Sequence, residues 1–463
     1  MAELSATLEA TPAATRHVST RRGSRALSPI GLLLWFALGI NTAVIIALWV
    51  GDGGISAIHT GGQLLTSLGR ITGLLGGYFI LIQVILLARL PWLERLVGFD
   101  RLTIWHRRNG KLSLYLVLAH TALITVGYAL TSQLSISKEA SVLLTLYPGM
   151  VSATIGTALM VVVVLSSIVV VRRRLRYEAW YGVHFMAYLA IGLAWIHQIP
   201  TGNDLAVNPT AASYWTALYL GTLGLLVAFR LVWPSIRNLQ YSLRVEGVRP
   251  EGPGVVSLRL SGRHLERMHA KAGQFLLFRF LTRGRWWEAH PFSLSQCPAD
   301  DHLRITVKAV GDFTRRMGEI RVGTRVLAEG PFGLFTGDVR SREKLLFIAG
   351  GIGITPIRSL LEEMNGDITL IYRVVGEADL IFKDELEALA ARRRIDIRYA
   401  VGDHRDPESA TLLSPQHLRE MVPDIAEREV YLCGPPAMAD LIKNNVLQAG
   451  TPREYIHCER FAL

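Results

Sequence analysis

Cysteine is nearly absent: Cys297, Cys433 and Cys458 serve a chain of 463 residues, and all three fall in its C-terminal half. So sparse a set builds no disulfide framework, and it fits a reducing cytosol for that half. Charge is scarce too, at 19% of residues, while half the chain is apolar. That is too little charge for an ordinary soluble protein of this length. Acidic residues number 38 against 49 basic ones, a formal net charge of +11. The arginines do not interleave with aromatics in a patch, which argues against nucleic acid. They cluster beside apolar runs instead (Arg21, Arg22, Arg25; Arg107, Arg108; Arg172 to Arg174), as at a membrane surface. No EF-hand loop occurs, so calcium activation would need another chain. Residues 1–28 lack the short apolar core and cleavage site of a signal peptide, and read as a disordered cytosolic tail.

What is present divides unevenly. Apolar residues concentrate between Pro29 and Trp233, whereas residues 240–463 have the texture of a soluble protein. Six stretches, near 30–50, 68–90, 111–131, 149–171, 180–199 and 213–233, each have about the 20 residues a helix needs to cross lipid. Links 91–110 and 172–179 hold the arginines, while links 51–67, 132–148 and 200–212 hold one lysine and no arginine. The asymmetry places both termini in the cytoplasm of a multi-pass plasma-membrane protein.

Four histidines stand inside this half. His106 and His120 are 14 residues apart near the third span, and His184 and His197 are 13 apart on the fifth. Each spacing corresponds to about 20 Å along a helix. Two helices with imidazoles at matching levels suit two stacked b-type haems, each gripped from both sides, a metal-binding arrangement fitted to electron transfer. The expected pairs are His106 with His184 towards the cytosol and His120 with His197 towards the outside. A spacing of 13 leaves an offset of about 140° around a helix, so a bent or overwound stretch is expected near Gly192. Arg70 lies inside the outer end of the second span and needs an anionic partner there, a haem propionate or an anionic oxygen species.

The soluble half begins with strand-like runs, Val255–Leu260, Phe275–Phe278 and Leu303–Val307, separated by turn residues as in a small antiparallel barrel. After Glu343 the texture changes. The run Leu345–Ala349 leads into Gly350-Gly351-Ile352-Gly353-Ile354-Thr355-Pro356 and a helical stretch, and further strand runs follow at 367–372 and 430–433. Strands alternating with helices imply a doubly wound parallel sheet. A glycine turn between strand and helix admits a pyrophosphate to a positive helix end. Around it stand His290-Pro291-Phe292-Ser293, then Gly311-Asp312-Phe313-Thr314, Gly330-Pro331-Phe332-Gly333, Cys433-Gly434-Pro435, and Phe461 near the C-terminus.

Taken together, these motifs make the soluble half similar to the ferredoxin–NADP reductase superfamily. With the paired histidines, residues 30–463 resemble the NADPH oxidase and ferric reductase family. The resemblance implies a six-span helical membrane bundle (29–235), a soluble FAD-binding antiparallel β-barrel (240–338) and a doubly wound α/β NAD(P)H-binding domain (342–463). It assigns His290, Pro291, Phe292 and Ser293 to the flavin ring and ribityl edge. Gly311, Phe313 and Thr314 go to the flavin pyrophosphate. Gly350, Gly351, Gly353, Thr355 and Pro356 go to the nicotinamide nucleotide, and Cys433, Gly434 and Pro435 lie beside its nicotinamide. Phe461 matches the aromatic that stacks on the flavin and yields to nicotinamide, and Arg70 matches an arginine near the outer haem. Arg373 follows the second strand of the sheet with no carboxylate at its own position, which favours NADPH, while Glu377 and Asp379 nearby keep NADH open.

The expected activity is a relay from cytosolic NADPH through FAD and two b haems to an extracytoplasmic small molecule, oxygen or a ferric chelate. An alternative keeps the relay but makes the chain an electron-donor subunit for a redox partner protein. Neither reading needs a catalytic acid, base or nucleophile. The partners expected are membrane lipid and the electron acceptor, with no nucleic acid.

Overall fold

In lipid a backbone satisfies its polar groups within its own segment, so long apolar runs become helices. The computed structural model describes residues 29–463 apart from 169–170, 172–176, 300, 404, 407–408, 410 and 461–463. The expected tail, the Arg172–Arg174 cluster and Phe461 lie outside the described residues. The N-terminal half runs α1 (Pro29–Trp49), α2 (Gly61–Leu86), α3 (Pro91–Val97), α4 (Phe99–Ser132) and α5 (Ile136–Leu146). It continues through α6 (Met150–Ser166), α7 (Tyr177–Thr201), α8 (Asn203–Ala206), α9 (Pro209–Val227) and α10 (Trp233–Tyr241). Among the described residues, five helical segments are long and apolar enough to cross a membrane, or six if α5 and α6, bent by 112° at their junction, count as one span.

Several boundaries differ from the sequence expectation, and α4 starts at Phe99 rather than near 111. Helix α2 starts at Gly61 rather than near 68, because Thr60 caps it by accepting the Gln63 amide at 3.3 Å. A glycine-rich, capped first turn is helical without being hydrophobic. The expected loop 132–148 contains α5, started by Ser135, which accepts the Lys138 amide. No break occurs at Gly192, where the histidine spacing predicts a bend or overwinding: α7 is one uninterrupted α-helix.

The C-terminal half opens with two three-stranded antiparallel sheets. One has the order β1 (Arg244–Gly252), β2 (Val255–Ser261), β5 (His302–Lys308); the other has β4 (His290–Ser293), β3 (Phe275–Phe280), β6 (Val326–Phe332). Single bridges, Leu294 to Ile305 and Arg244 to Arg325, join them at both margins. They enclose a core that includes Leu258, Leu260, Leu276, Phe278 and Phe280. A five-stranded parallel sheet follows, ordered β11 (Ile456–Arg460), β10 (Glu429–Gly434), β7 (Lys344–Gly350), β8 (Asp367–Val374), β9 (Asp396–Val401). The strand order reverses between β7 and β10, and such a reversal opens a crevice at the carboxyl ends of those strands.

The halves are clamped together. Helix α10 continues from α9 and reaches β6, where the Asn238 side-chain oxygen accepts the Ala328 amide at 2.7 Å. Phe99, the first residue of α4, packs against Phe275 and Phe332 at centroid distances of 6.4 and 5.9 Å. The Arg89 guanidinium lies over both Phe99 and Phe332, at 4.7 and 4.9 Å.

Candidate functional site

The four intramembrane histidines converge as two pairs. The ring centres of His106 and His184 are 6.0 Å apart, and those of His120 and His197 are 6.4 Å apart. Helices α4 and α7 therefore run in the same direction, each carrying one imidazole per level. The α7 offset is absorbed without interrupting the helix, which leaves side-chain torsion and helix inclination to take it up. His106 Nδ1 faces the Gln83 carbonyl at 3.1 Å and His120 Nδ1 faces the Gly69 carbonyl at 2.8 Å. A ring nitrogen that donates to a carbonyl leaves the other free for a metal. Gly73 makes room for this: a Cβ there would stand 2.5 Å from His120 Nδ1. His184 Nδ1 lies 3.3 Å from the Ser167 hydroxyl.

Arg70 has a partner within this chain. Its guanidinium bonds both carboxylate oxygens of Asp204, one of them at 2.9 Å, and the Asp52 carbonyl at 3.0 Å. Sequence reasoning named Arg70 and missed Asp204. A signal existed: each expected external link contains one carboxylate, Asp52, Glu139 and Asp204. A carboxylate on the same side of the membrane is the first partner to consider for an intramembrane arginine.

In the soluble half, β4 holds His290, Pro291, Phe292 and Ser293 against β3 in register with Phe278, Leu277, Leu276 and Phe275. His290 stacks on Phe313 with centroids 3.9 Å apart and on Phe292 at 6.4 Å. The two motifs, 21 residues apart in sequence, thus form one surface. Burial pushes the His290 imidazole below its ordinary value, against the opposing pull of Glu288. The Thr314 hydroxyl accepts the Val310 and Gly311 amides at 3.0 and 2.9 Å, which shapes the loop around Gly311.

At the end of β7, Gly350 leads into the turn Gly351–Gly353 and then α12 (Ile354–Glu363), with α11 (Asp312–Arg315) the short helix before it in the chain. Gly351 has φ +51°, and a Cβ on Gly353 would lie 2.3 Å from the Cys433 carbonyl. Turn and strand end therefore close on each other only without side chains. Thr355 and Pro356 are buried in the first turn of α12, with the Thr355 hydroxyl donating to the Ile352 carbonyl. The α12 N-terminus and the Cys433–Pro435 backbone border the crevice where strand order reverses. The Cys433 side chain does not: it is fully buried in the sheet core, and burial pushes its thiol well up. It packs, and Gly434 lies buried against the backbone of Gly350. Arg373 is the penultimate residue of β8, with its guanidinium on the carbonyls of Val374, Ala400 and Ser409.

Comparison with known proteins agrees with this geometry. Residues 72–195 match the ferric reductase like transmembrane component, 252–335 an FAD-binding domain, and 347–444 an oxidoreductase NAD-binding domain. The domain architecture is that of the NADPH oxidases and ferric reductases. The matched domains are those of an NAD(P)H-linked oxidoreductase, and the described residues hold five to six apolar helices. Its soluble half is similar to ferredoxin–NADP reductase B of Sorangium cellulosum, 29% identical over 48% of this chain and 97% of that protein. It is also similar to flavohemoprotein B of Dictyostelium discoideum (30%, 37% of this chain and 44% of that one). A third relative is NADH-cytochrome b5 reductase 1 of Candida glabrata (29%, 35% and 62%). The chain thus spans less than two thirds of the latter two. Among solved structures, the ferredoxin reductase in carbazole 1,9a-dioxygenase is similar at 22% identity and TM-score 0.40, over 48% of this chain and 69% of that one.

Proposed function

We propose that the protein carries electrons from cytosolic NADPH through FAD and two b-type haems to an extracytoplasmic small molecule, oxygen or ferric iron. The two imidazole pairs carry this reading. Two imidazoles binding one metal from opposite sides, with bonds of about 2 Å, stand with their ring centres about 6 Å apart. The observed separations are 6.0 and 6.4 Å. Among the described residues no three His, Cys, Asp or Glu side chains gather to hold a bare metal ion. Two ligands suffice for an iron whose remaining positions a porphyrin fills. When bound, a flavin would supply the link between two-electron nicotinamide chemistry and one-electron haem chemistry.

This chain's residues bind, orient and separate the cofactors. His290, Phe292 and Phe313 offer a ring-lined surface for a flavin. The loop of Gly311 and Thr314 presents backbone to its pyrophosphate, and the two bridged sheets read as a closed barrel around that site. The Gly350–Gly353 turn and the α12 N-terminus suit the dinucleotide phosphates. Gly434 and Pro435 border the nicotinamide end, and the doubly wound order supports that placement. The parallel course of α4 and α7 supports six crossings, because α6 must return the chain between them. Both termini are then cytoplasmic. Arg70, near His120 through Gly69, faces the outer haem level with Asp204 as its counter-charge.

The test is one preparation in which reduction gives low-spin b-type bands, with NADPH-driven superoxide and ferrous products measured side by side. Low-spin bands with substantial turnover support the relay; a protein purified from haem-replete cells without such bands contradicts it. For NADPH preference, Arg373→Ala is expected to raise the KM for NADPH about tenfold or more, the worth of a charged hydrogen bond, with NADH unaffected. An equal effect on both nucleotides removes Arg373 from cofactor choice.

A further inference from the structure

The helix that begins at the nucleotide turn is bonded along one flank to the flavin-binding region. Ser359 accepts the Gly273 amide at 2.9 Å, Glu362 accepts the Cys297 amide at 2.6 Å, and Glu363 accepts the Ala272 amide at 3.2 Å. Arg358, 8% exposed, donates to the Ser295 carbonyl at 3.1 Å and to Glu385 at 2.8 Å. Glu385, on α13 (Lys383–Arg393), also receives both terminal nitrogens of Arg304 from β5, at 2.9 and 3.0 Å. Arg304 in turn donates to the Ser295 carbonyl at 2.9 Å. Ser295 lies two residues beyond Ser293, the end of the β4 motif, and Arg358 one turn beyond the start of α12.

An apolar interface of the same area would hold two domains as well, since burying charges costs desolvation that their attraction seldom exceeds. Apolar faces slide. Forked, charge-assisted bonds fix both distance and angle. We propose that Arg304, Arg358 and Glu385 are positioning residues that set how the nicotinamide meets the flavin, without touching either. The proposal rests on the reading that NADPH reduces FAD across this junction.

The measurement is anaerobic stopped-flow reduction of the flavin by NADPH in the full-length holoenzyme, for wild type, Glu385→Gln and Arg358→Lys. The limiting rate is expected to fall by about tenfold, since misplacement by an ångström costs up to about a hundredfold. FAD content and apparent NADPH affinity should stay within about twofold, because no cofactor contact is removed. The nicotinamide–flavin charge-transfer absorbance should weaken in parallel. The exchange pair Arg304→Glu with Glu385→Arg should recover part of the rate lost in Arg304→Glu alone. An unchanged limiting rate overturns the proposal. So does a loss of rate matched by loss of FAD, which marks a general structural role. Absence of flavin reduction in wild type would instead overturn the underlying relay.

Discussion

The membrane and soluble halves bury opposite things. In the five membrane-length helices only 6% to 28% of the residues of the apolar window are buried, and the rest are partly or fully exposed. In the soluble half, every residue of β10 and nearly all of β7 is buried. Polar side chains are correspondingly few in the membrane half: four imidazoles stand in pairs, Arg70 bonds Asp204 and Glu139 accepts the Ser132 hydroxyl, while the buried His197 Nδ1 and Trp195 Nε1 have no hydrogen-bond partner among the described residues. The soluble half builds its site mainly from backbone, at glycine turns and capped loops. One half specifies function through rare side chains in lipid. The other specifies it through where side chains are missing.

Four substitutions sharpen that contrast. The largest loss is expected at Asp204→Ala, which strands Arg70 without its carboxylate; removing one partner of such a pair costs about 3–5 kcal/mol. Thermal unfolding in detergent, with Arg70→Leu/Asp204→Leu as the compensated control, measures it. A double variant as unstable as the single would show that the pairing is not what matters. Next comes Gly353→Ala, whose Cβ meets the Cys433 carbonyl; the overpacking costs about 1–3 kcal/mol and NADPH-driven flavin reduction should be lost while FAD is retained. Unimpaired reduction would show that the turn has room to spare.

A smaller effect concerns pH. Burial pushes the Glu429 carboxyl up, but His457 and the Ser341 and Arg342 amides hold it below its usual value of 4.5. A depressed carboxyl contributes stability that is whole above the unfolded value and is lost as pH falls through the folded one. Glu429→Gln should therefore flatten the acid limb of the stability curve below about pH 4.5. An identical acid limb in wild type and variant would contradict this. Smallest is Thr314→Ala, which removes the cap over Gly311, costs about 1 kcal/mol, and should weaken FAD binding several-fold by titration. An undiminished FAD affinity would detach that loop from the flavin.

Sequence made the membrane half legible where hydropathy acts alone. The spans and four histidines were readable because lipid demands long apolar runs and tolerates polar residues only where they are used. The α2 start and α5 were not, since caps and short amphipathic turns carry little hydropathy. The bend or overwinding expected in α7 rests on ideal helical angles, and the two imidazole pairs form on a helix that is not interrupted. In the soluble half, glycines and ring residues were found by motif, but the facing of Cys433 was not. Strand alternation is silent when both faces are buried. The Arg304–Glu385–Arg358 cluster escaped as well, because its members lie 27 to 81 residues apart.

The account stands or falls on haem held by the two imidazole pairs. Bound haem counted by pyridine haemochrome, alongside reduced-minus-oxidised spectra, should give two b-type haems per chain in wild type. His106→Ala or His184→Ala should each remove the same one, and His120→Ala or His197→Ala the other. Haem content unchanged in these variants, or absent from the parent protein, would contradict it.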